Sequence, residues 1–593
     1  MRHSATEVGI RRSGSSFRKA LLLAAVTTGS FSLGGAARAD TITDVNAQLL
    51  NIIANTSPAL IDGPPNVARE IAMVNGAMFD AINAVSGSPY QPITYSGSIA
   101  NASAEAAALS AAVTMLTSLY GPTSLYATYA GVTGAAYYGG ASPYAGSIVG
   151  PTLSQYAAIQ ADIASVTSQL SALTASTQVT NGTAAGLAAA NAMIAARASD
   201  NGNAAMLSTL SYVAPVGPQA PGVYIPPTGR PALEPTAQAV TPFVATSPEM
   251  AAARASTVTG PAALDSAAYA NQLLETECQG GVVTLSAANA TACSAAGFAP
   301  QTAAQATAAL YWNDPGGTYQ PPGHFLQVAD AAALQTGLSL LQHSQLDALV
   351  GAAMSDAGAE AWNAKYNYNR WRPITAIRDC AADWATLNPN FTSCQSNWNS
   401  LIATPPHPDY VAGHPAFSGA AATVLDAYFG TDAVPVTVAS QAYCNGGSTT
   451  RNAAGDTIAC TVGATTYSIS NASDCNNAGS QAPLLADYSV NPLYNGSPLI
   501  CPISETFAGF QAASSGDLGS TFSRVAGGIH TPQAVYDALA LGNAIGTIVA
   551  QNAGISNNPN IPEPGTLALL TVGLAGVGVM RRRGIAALVR SAH

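Results

Sequence analysis

The chain has 593 residues, enough for a large core or several domains. Only 9% of them are charged while 48% are hydrophobic, against roughly 25% charged in an ordinary soluble domain, and this excludes intrinsic disorder, which needs high charge with low hydrophobicity. A formal net charge of −11 sets the chain against nucleic acid and anionic membrane surfaces.

The first segment reads as an address. Arg11, Arg12, Arg18 and Lys19 precede an apolar run from Ala20 to Val26, and Ala37-Arg38-Ala39 offers a small-residue cleavage site. That order predicts a secretory signal peptide over residues 1–39, removed before Asp40. The apolar run is too short for a membrane span. Apolar spacing then predicts helices over 66–86, 103–120 and 182–199. A proline-rich stretch, 213–242, reads as an irregular connection. Helical patterning returns over 264–277, 301–312 and 325–365. Residues 430–503, rich in Asn, Ser, Gly and Thr with four cysteines, read as a stapled, loop-rich insertion with some short strands. A helix from Pro532 to about Asn552 closes a folded domain spanning 40–552. The remainder, 553–593, is a linker and tail in which Pro562-Glu563-Pro564-Gly565, an apolar stretch from Thr566 to Met580 and Arg581-Arg582-Arg583 follow in order.

Between the two ends the charge balance sharpens. Residues 40–562 hold 29 acidic residues against ten basic ones, a net of −19 with histidine neutral. An anion bound by this body must be drawn by a local cluster working against its field. The eight cysteines, Cys278, Cys293, Cys380, Cys394, Cys444, Cys460, Cys475 and Cys501, all lie in this part. An even count in an exported chain favours disulfides, with sequence neighbours closing short loops, although many connectivities are open. No C-x-x-C or Cys/His spacing supports a zinc site.

Lysine usage is the most informative single observation. Lys19 leaves with the signal peptide, so the mature body keeps one lysine, Lys365, beside nine arginines. A compact ammonium on a flexible stem suits an oxyanion. Arg372 follows seven residues later, before Pro373. Two helical turns would place both side chains on one face, although Pro373 discourages helical geometry at Arg372. Arg370 and Arg378 read as surface charges. Two histidines stand just before helix starts: His414 before Pro415 and an Ala-rich run, and His530 before Thr531-Pro532, six residues after Arg524. Gly413 allows close backbone approach and offers an N–H. Free N–H groups and the helix dipole at such starts favour an anion and disfavour imidazolium. His407 lies seven residues before His414, and His343 stands in no such context.

Together the three segments, Lys365…Arg372-Pro373, Ala412-Gly413-His414 and Ser523-Arg524…His530, resemble the vanadium-dependent haloperoxidase and type 2 phosphatidic acid phosphatase superfamily. Tyr311-Trp312-Asn313-Asp314 followed by Pro321-Pro322-Gly323-His324 looks like its haloperoxidase branch. The tail resembles the PEP-CTERM sorting signal of Gram-negative bacteria. This implies an all-α, helical-bundle fold and an exported envelope or extracellular protein processed by an exosortase-type enzyme. By the same resemblance Lys365, Arg372, Arg524 and the Gly413 N–H bind the oxygens of vanadate, for which phosphate can substitute. His530 is the metal ligand, His414 the acid–base group, and Asp314 the partner of Arg524. The activity implied is oxidation of halide by hydrogen peroxide, with His407 leaning toward bromide or iodide. The same pocket in a phosphatase would hydrolyse a phosphate ester through a phosphohistidine at His530. The family serine is Ala412 here, so one hydroxyl donor to the oxyanion is missing. An inactive envelope protein that retains the fold is a third reading, and assembly into a homo-oligomer is left open.

Overall fold

The computed structural model describes residues 40–555 apart from 57–61, 132, 138–145, 212–218, 227–231, 282, 441–447, 452–457, 463–464 and 470–503. The proposed signal peptide and sorting tail lie outside the described residues, as does most of the insertion. All described residues fall in one compact unit.

The chain is mostly helical. A first bundle comprises α1 (Thr41–Thr56), α2 (Pro64–Val85), α3 (Ala104–Tyr120), α4 (Leu153–Ala172) and α5 (Thr177–Arg197). A second comprises α6 (Ala303–Tyr311), α7 (Gln320–Thr336), α8 (Leu340–Tyr368), α9 (Gly413–Phe429) and α10 (Pro532–Asn552). The most extensive helix contact in the molecule joins α2 to α8, so the bundles share one core. No helix among the described residues is long and apolar enough to cross a membrane.

Local chemistry sets the boundaries. Ser103 caps α3, and Thr152 and Ser339 form capping boxes with Gln155 and Gln342. The helical pattern over 325–365 is two helices rather than one. Gly337 adopts φ +69°, which ends α7, and the Ser339 box restarts the chain as α8. Among its described residues the 213–242 segment holds one short 3₁₀ turn, Ala237–Ala239.

The insertion opens and closes on a two-stranded antiparallel ladder, β1 (Val436–Ala439) with β5 (Ser504–Phe507). Within it β2 (Ser448–Arg451), β3 (Ile458–Val462) and β4 (Thr465–Ile469) form an antiparallel sheet. Tyr311 donates to the Val438 carbonyl at 2.9 Å, tying the ladder to the end of α6. Among the described residues two neighbouring cysteine pairs are disulfides, Cys278–Cys293 and Cys380–Cys394. Cys444, Cys475 and Cys501 lie outside the described residues.

Helices α9 and α10 carry the two histidines at their starts, and their separation is fixed by glycine. A methyl group at residue 542 would lie 2.4 Å from the Ala416 carbonyl oxygen, and one at 546 would lie 2.6 Å from that of Ala420. Both glycines belong to α10 and both oxygens to α9. Replacing Gly542 by valine must therefore part these helices. We expect Gly542→Val to lower the stability measured by urea unfolding by about 1–3 kcal/mol. An unchanged midpoint would mean that this contact does not hold the pair together.

Candidate functional site

Lys365 lies near the end of α8, which stops when Asn369 turns left-handed at φ +45°. Arg372 follows as the extended N-cap residue of the short helix Pro373–Arg378, with φ −83° and ψ 153°. The seven-residue spacing therefore does not act along one helix. Proline at 373 forbids that, and the turn at Asn369 instead brings both cations onto the segment His407–Asp409. The Lys365 ammonium, fully buried, donates to the carbonyls of Pro408 at 2.9 Å and Asp409 at 3.3 Å. The Arg372 guanidinium donates through Nε to the His407 carbonyl at 2.6 Å and through one terminal nitrogen to that of Ile529 at 2.7 Å. Neither cation forms a salt bridge among the described residues.

Arg372 also sets the histidine tautomers. Arginine has no acceptor, so the ring nitrogens facing it carry lone pairs. These are His530 Nε2 at 3.0 Å and His407 Nδ1 at 2.9 Å. The other nitrogen of His530, Nδ1, donates to Asp409 Oδ1 at 2.6 Å, and Thr531 Oγ1 donates to Asp409 Oδ2 at 2.9 Å. Thr531 is the N-cap residue of α10 but spends its hydroxyl on Asp409 rather than on the helix. The His530 carbonyl accepts from Thr276 at 3.3 Å, two residues before the Cys278–Cys293 bridge, so the disulfide braces the strand of chain that ends in His530.

The second half of the site is built on Arg524 and His414. Ala412 is the N-cap residue of α9, Gly413 the first helical residue and His414 the second. The Gly413 and His414 N–H groups belong to the helix's first turn, where no intrahelical acceptor is available. Arg524 donates to His414 Nε2 at 3.2 Å and to the Ala309 carbonyl at 3.2 Å. The backbone of Asn313 and Trp312 hydrogen-bonds the same imidazole. The Tyr-Trp-Asn-Asp segment thus orients His414. Asp314 meets His324, with both carboxylate oxygens 3.1 Å from His324 Nδ1, where the sequence reading pairs it with Arg524.

The electrostatics follow from burial and from this surplus of cations. Burial first, then Arg372, hold the Lys365 ammonium well below the usual lysine range. Burial first, then Arg372 and Lys365, hold His530 well below the usual histidine range, and Arg524 contributes. Burial and then Arg524 do the same to His414; burial, Lys365 and Arg372 do it to His407. Burial raises Asp409 to about 6 against the pull of Arg372 and Lys365. All three imidazoles are therefore neutral at pH 7, with lone pairs available. A cavity of about 330 Å³ opens on His407, Gly413 and His414, with Trp362, Phe417 and Asp314 on its walls. Lys365, Arg372, Arg524 and His530 lie behind this lining.

Asp409 is the residue the sequence reading missed. It stands within the His-Pro-Asp-Tyr run just after His407, and an aspartate beside a proline reads first as turn chemistry. A hydrogen bond to a charged group contributes about 1.5–3 kcal/mol. Asp409→Ala is expected to lose about that much stability in urea unfolding. Nitrogen-15 spectra of the His530 ring should then show mixed tautomers in place of a single Nδ1–H form. A ring that keeps one tautomer in the variant would remove Asp409 from this role.

Residues 345–486 match the family model described as the VCPO second helical-bundle domain. Residues 560–583 match that of the PEP-CTERM protein-sorting motif. Vanadium chloroperoxidase of Curvularia inaequalis is 28% identical over 142 residues, which are 21% of this chain and 23% of that protein. The chain thus matches less than a quarter of the length of this curated relative. Among solved structures, the first bacterial vanadium-dependent iodoperoxidase superposes with a TM-score of 0.54 at 18% identity, covering 86% of this chain and 96% of the other. A holo-type bacterial vanadium-dependent chloroperoxidase gives 0.51 at 14% identity, covering 88% and 99%. At these identities the structural likeness is one of fold.

Proposed function

From a chain that carries the VCPO second helical-bundle domain within a vanadium-haloperoxidase fold, we propose an exported peroxidase that uses vanadate and hydrogen peroxide to oxidise a halide. The observation that carries this reading is charge. Among the described residues Lys365 and Arg372 are buried beside a single carboxylate, Asp409, which is already engaged by His530 and Thr531. Buried charges require partners, so the cluster fits a tetrahedral oxyanion. The donor set fits as well, since His530 turns an Nε2 lone pair toward the cations while Asp409 fixes the opposite nitrogen.

In this reading Lys365, Arg372, Arg524 and the Gly413 N–H hold the oxygens of vanadate, and His530 Nε2 is its ligand. Bound vanadate supplies Lewis-acid activation of hydrogen peroxide. The chain's own part is proton management and exclusion of water. His414, kept neutral by burial and Arg524, accepts a proton from incoming peroxide through Nε2 and returns one as water leaves. The balance is hydrogen peroxide, halide and one proton giving hypohalous acid and water. Trp362, Phe417 and His407 wall the cavity through which halide would enter, and His407 is the basis for favouring bromide or iodide. Asp314, held by His324 at the cavity wall, is assigned a positioning part. The PEP-CTERM match supports export to the envelope and processing by an exosortase-type enzyme.

A phosphatase reading is favoured by one observation, the Asp409–His530 pair, which would strengthen His530 as a nucleophile toward a phosphate ester. The purified exported protein, assayed with vanadate, peroxide and bromide and then with a phosphate ester, separates the two. We expect peroxide-dependent bromination, and vanadate binding weakened about 10–100-fold in Lys365→Ala, the equivalent of the 1.5–3 kcal/mol of one charged hydrogen bond. Ester turnover without bromination would transfer the site to phosphatase chemistry. Neither activity, with no vanadate bound, would leave an envelope protein that retains only the fold.

A further inference from the structure

A second polar cluster lies at the other end of α8, where α1, α7 and α8 meet. His343 and Asp347 stand four residues apart on one face of α8, Asp330 reaches in from α7 and Asn46 from α1. The contacts run round a ring. His343 Nε2 lies 3.0 Å from Asp330 Oδ1 and 3.2 Å from Asp347 Oδ2. Asn46 Nδ2 lies 3.0 Å from that same Asp330 oxygen and 2.9 Å from that same Asp347 oxygen. The histidine, Asp330 and Asp347 ligand atoms all lie within 4.8 Å of one another.

From this ring we propose a divalent cation site, holding an ion of the Mn²⁺ or Zn²⁺ class between His343, Asp330, Asp347 and Asn46. Neighbouring ligands of a six-coordinate ion with bonds of about 2.1 Å stand roughly 3.0 Å apart, which matches the four edges, whereas Ca²⁺ at about 2.4 Å needs roughly 3.4 Å. An imidazole among carboxylates also suits a transition-type ion better than Ca²⁺. The nitrogen and oxygen of an asparagine amide are assigned from their surroundings, so a half-turn of the Asn46 amide presents Oδ1 as the fourth donor.

Three further observations support a ligand here. The Asp347 side chain is fully buried and its Oδ1 has no hydrogen-bond partner, and the same holds for Asn46 Oδ1. Asp40 accepts from His343 Nδ1 at 2.8 Å, the outer contact that fixes a metal-binding imidazole with Nε2 turned inward. Asp40, Asp330 and Asp347 surround one imidazole, and no lysine or arginine pairs with any of them among the described residues. Even a protonated ring leaves this ring of carboxylates in excess, and a divalent cation removes it.

The site is separate from the proposed oxyanion centre: Lys365 lies eighteen residues beyond Asp347 on α8, roughly 27 Å along the axis. Its effect is structural. Asp40 both caps α1, accepting from Ile42 at 3.1 Å and Thr43 at 3.0 Å, and orients His343. The ion would pin the first helix after the proposed cleavage point onto the second bundle.

The test uses the tag-free exported protein, stripped with a chelator and titrated with MnCl₂ in vanadate-free buffer. We expect about one ion per chain, imidazole nitrogen coupling in the Mn²⁺ spin-echo spectrum, and a melting temperature that falls on stripping and recovers on re-addition. Asp347→Asn and His343→Gln should each weaken uptake by more than about tenfold, the second with loss of the nitrogen coupling. Should Asp347→Asn fail to fold, Asp330→Asn gives the same reading. A stripped protein that takes up neither Mn²⁺ nor Zn²⁺ and melts unchanged would reduce the cluster to an imidazolium held by carboxylates, and uptake retained in the variants would place the ion elsewhere; either result overturns the site.

Discussion

The rest of this structure depends on a shortage of negative charge around two buried cations. Lys365 and Arg372 donate to backbone carbonyls and neutral imidazoles, and the one carboxylate beside them, Asp409, is committed to His530 and Thr531. A body with a net charge of −19 across residues 40–562 had aspartates to place there. That Asp409 has no second carboxylate beside it among the described residues, while carboxylates crowd His343 at the opposite end of the same helix, gives the two ends of α8 opposite electrostatic character. Desolvation makes each imbalance costly without a guest. The proposed guests are of opposite sign.

Geometry holds the imbalance in place only because the helices cannot slide. The small residues that dominate the composition let α9 and α10 pack with backbone nearly in contact, at Gly542 on Ala416 and Gly546 on Ala420. Both histidines stand at the ends of this pair, so the distance between them is set by backbone rather than by flexible side chains. The disulfides extend the same logic. Cys278–Cys293 follows Thr276, which holds the His530 carbonyl, and Cys380–Cys394 follows the short helix that Arg372 begins.

Much of this was legible in the sequence because it rests on residue choice and local chemistry. A single retained lysine and two histidines before proline-started helices are local signals. What escaped is what tertiary structure alone supplies. The spacing from Lys365 to Arg372 suggested a shared helical face, but Pro373 holds Arg372 extended and the left-handed Asn369 redirects the chain. The pairing of Asp314 with His324 depends on where α7 begins, which no motif fixes. Asp409 looked like a turn residue because its partner lies 121 positions away. His343 carried no pattern at all, since its carboxylate neighbours come from α7 and the residue before α1 as well as from its own helix.

The alanine at 412 shows how the site distributes its work. A serine there would give the oxyanion a neutral hydroxyl donor. Ala412 instead contributes its backbone N–H, which donates to the Ala534 carbonyl at 2.8 Å and ties the start of α9 to the first turn of α10. Losing the hydroxyl removes one directional donor but leaves the charge unchanged, because Lys365, Arg372 and Arg524 remain. Charge-assisted bonds are roughly twice as strong as neutral ones, so a site that keeps its cations and drops a hydroxyl loses the smaller share of its attraction. What it loses more of is orientation, since a hydroxyl fixes an oxygen's direction and an ammonium does not. In the proposed reading that task passes to the Arg372 fork and to the His530 ring, whose direction Asp409 sets at 2.6 Å. The carboxylate that the sequence hid and the hydroxyl that it lacks thus bear on the same requirement, the alignment of the proposed tetrahedral guest.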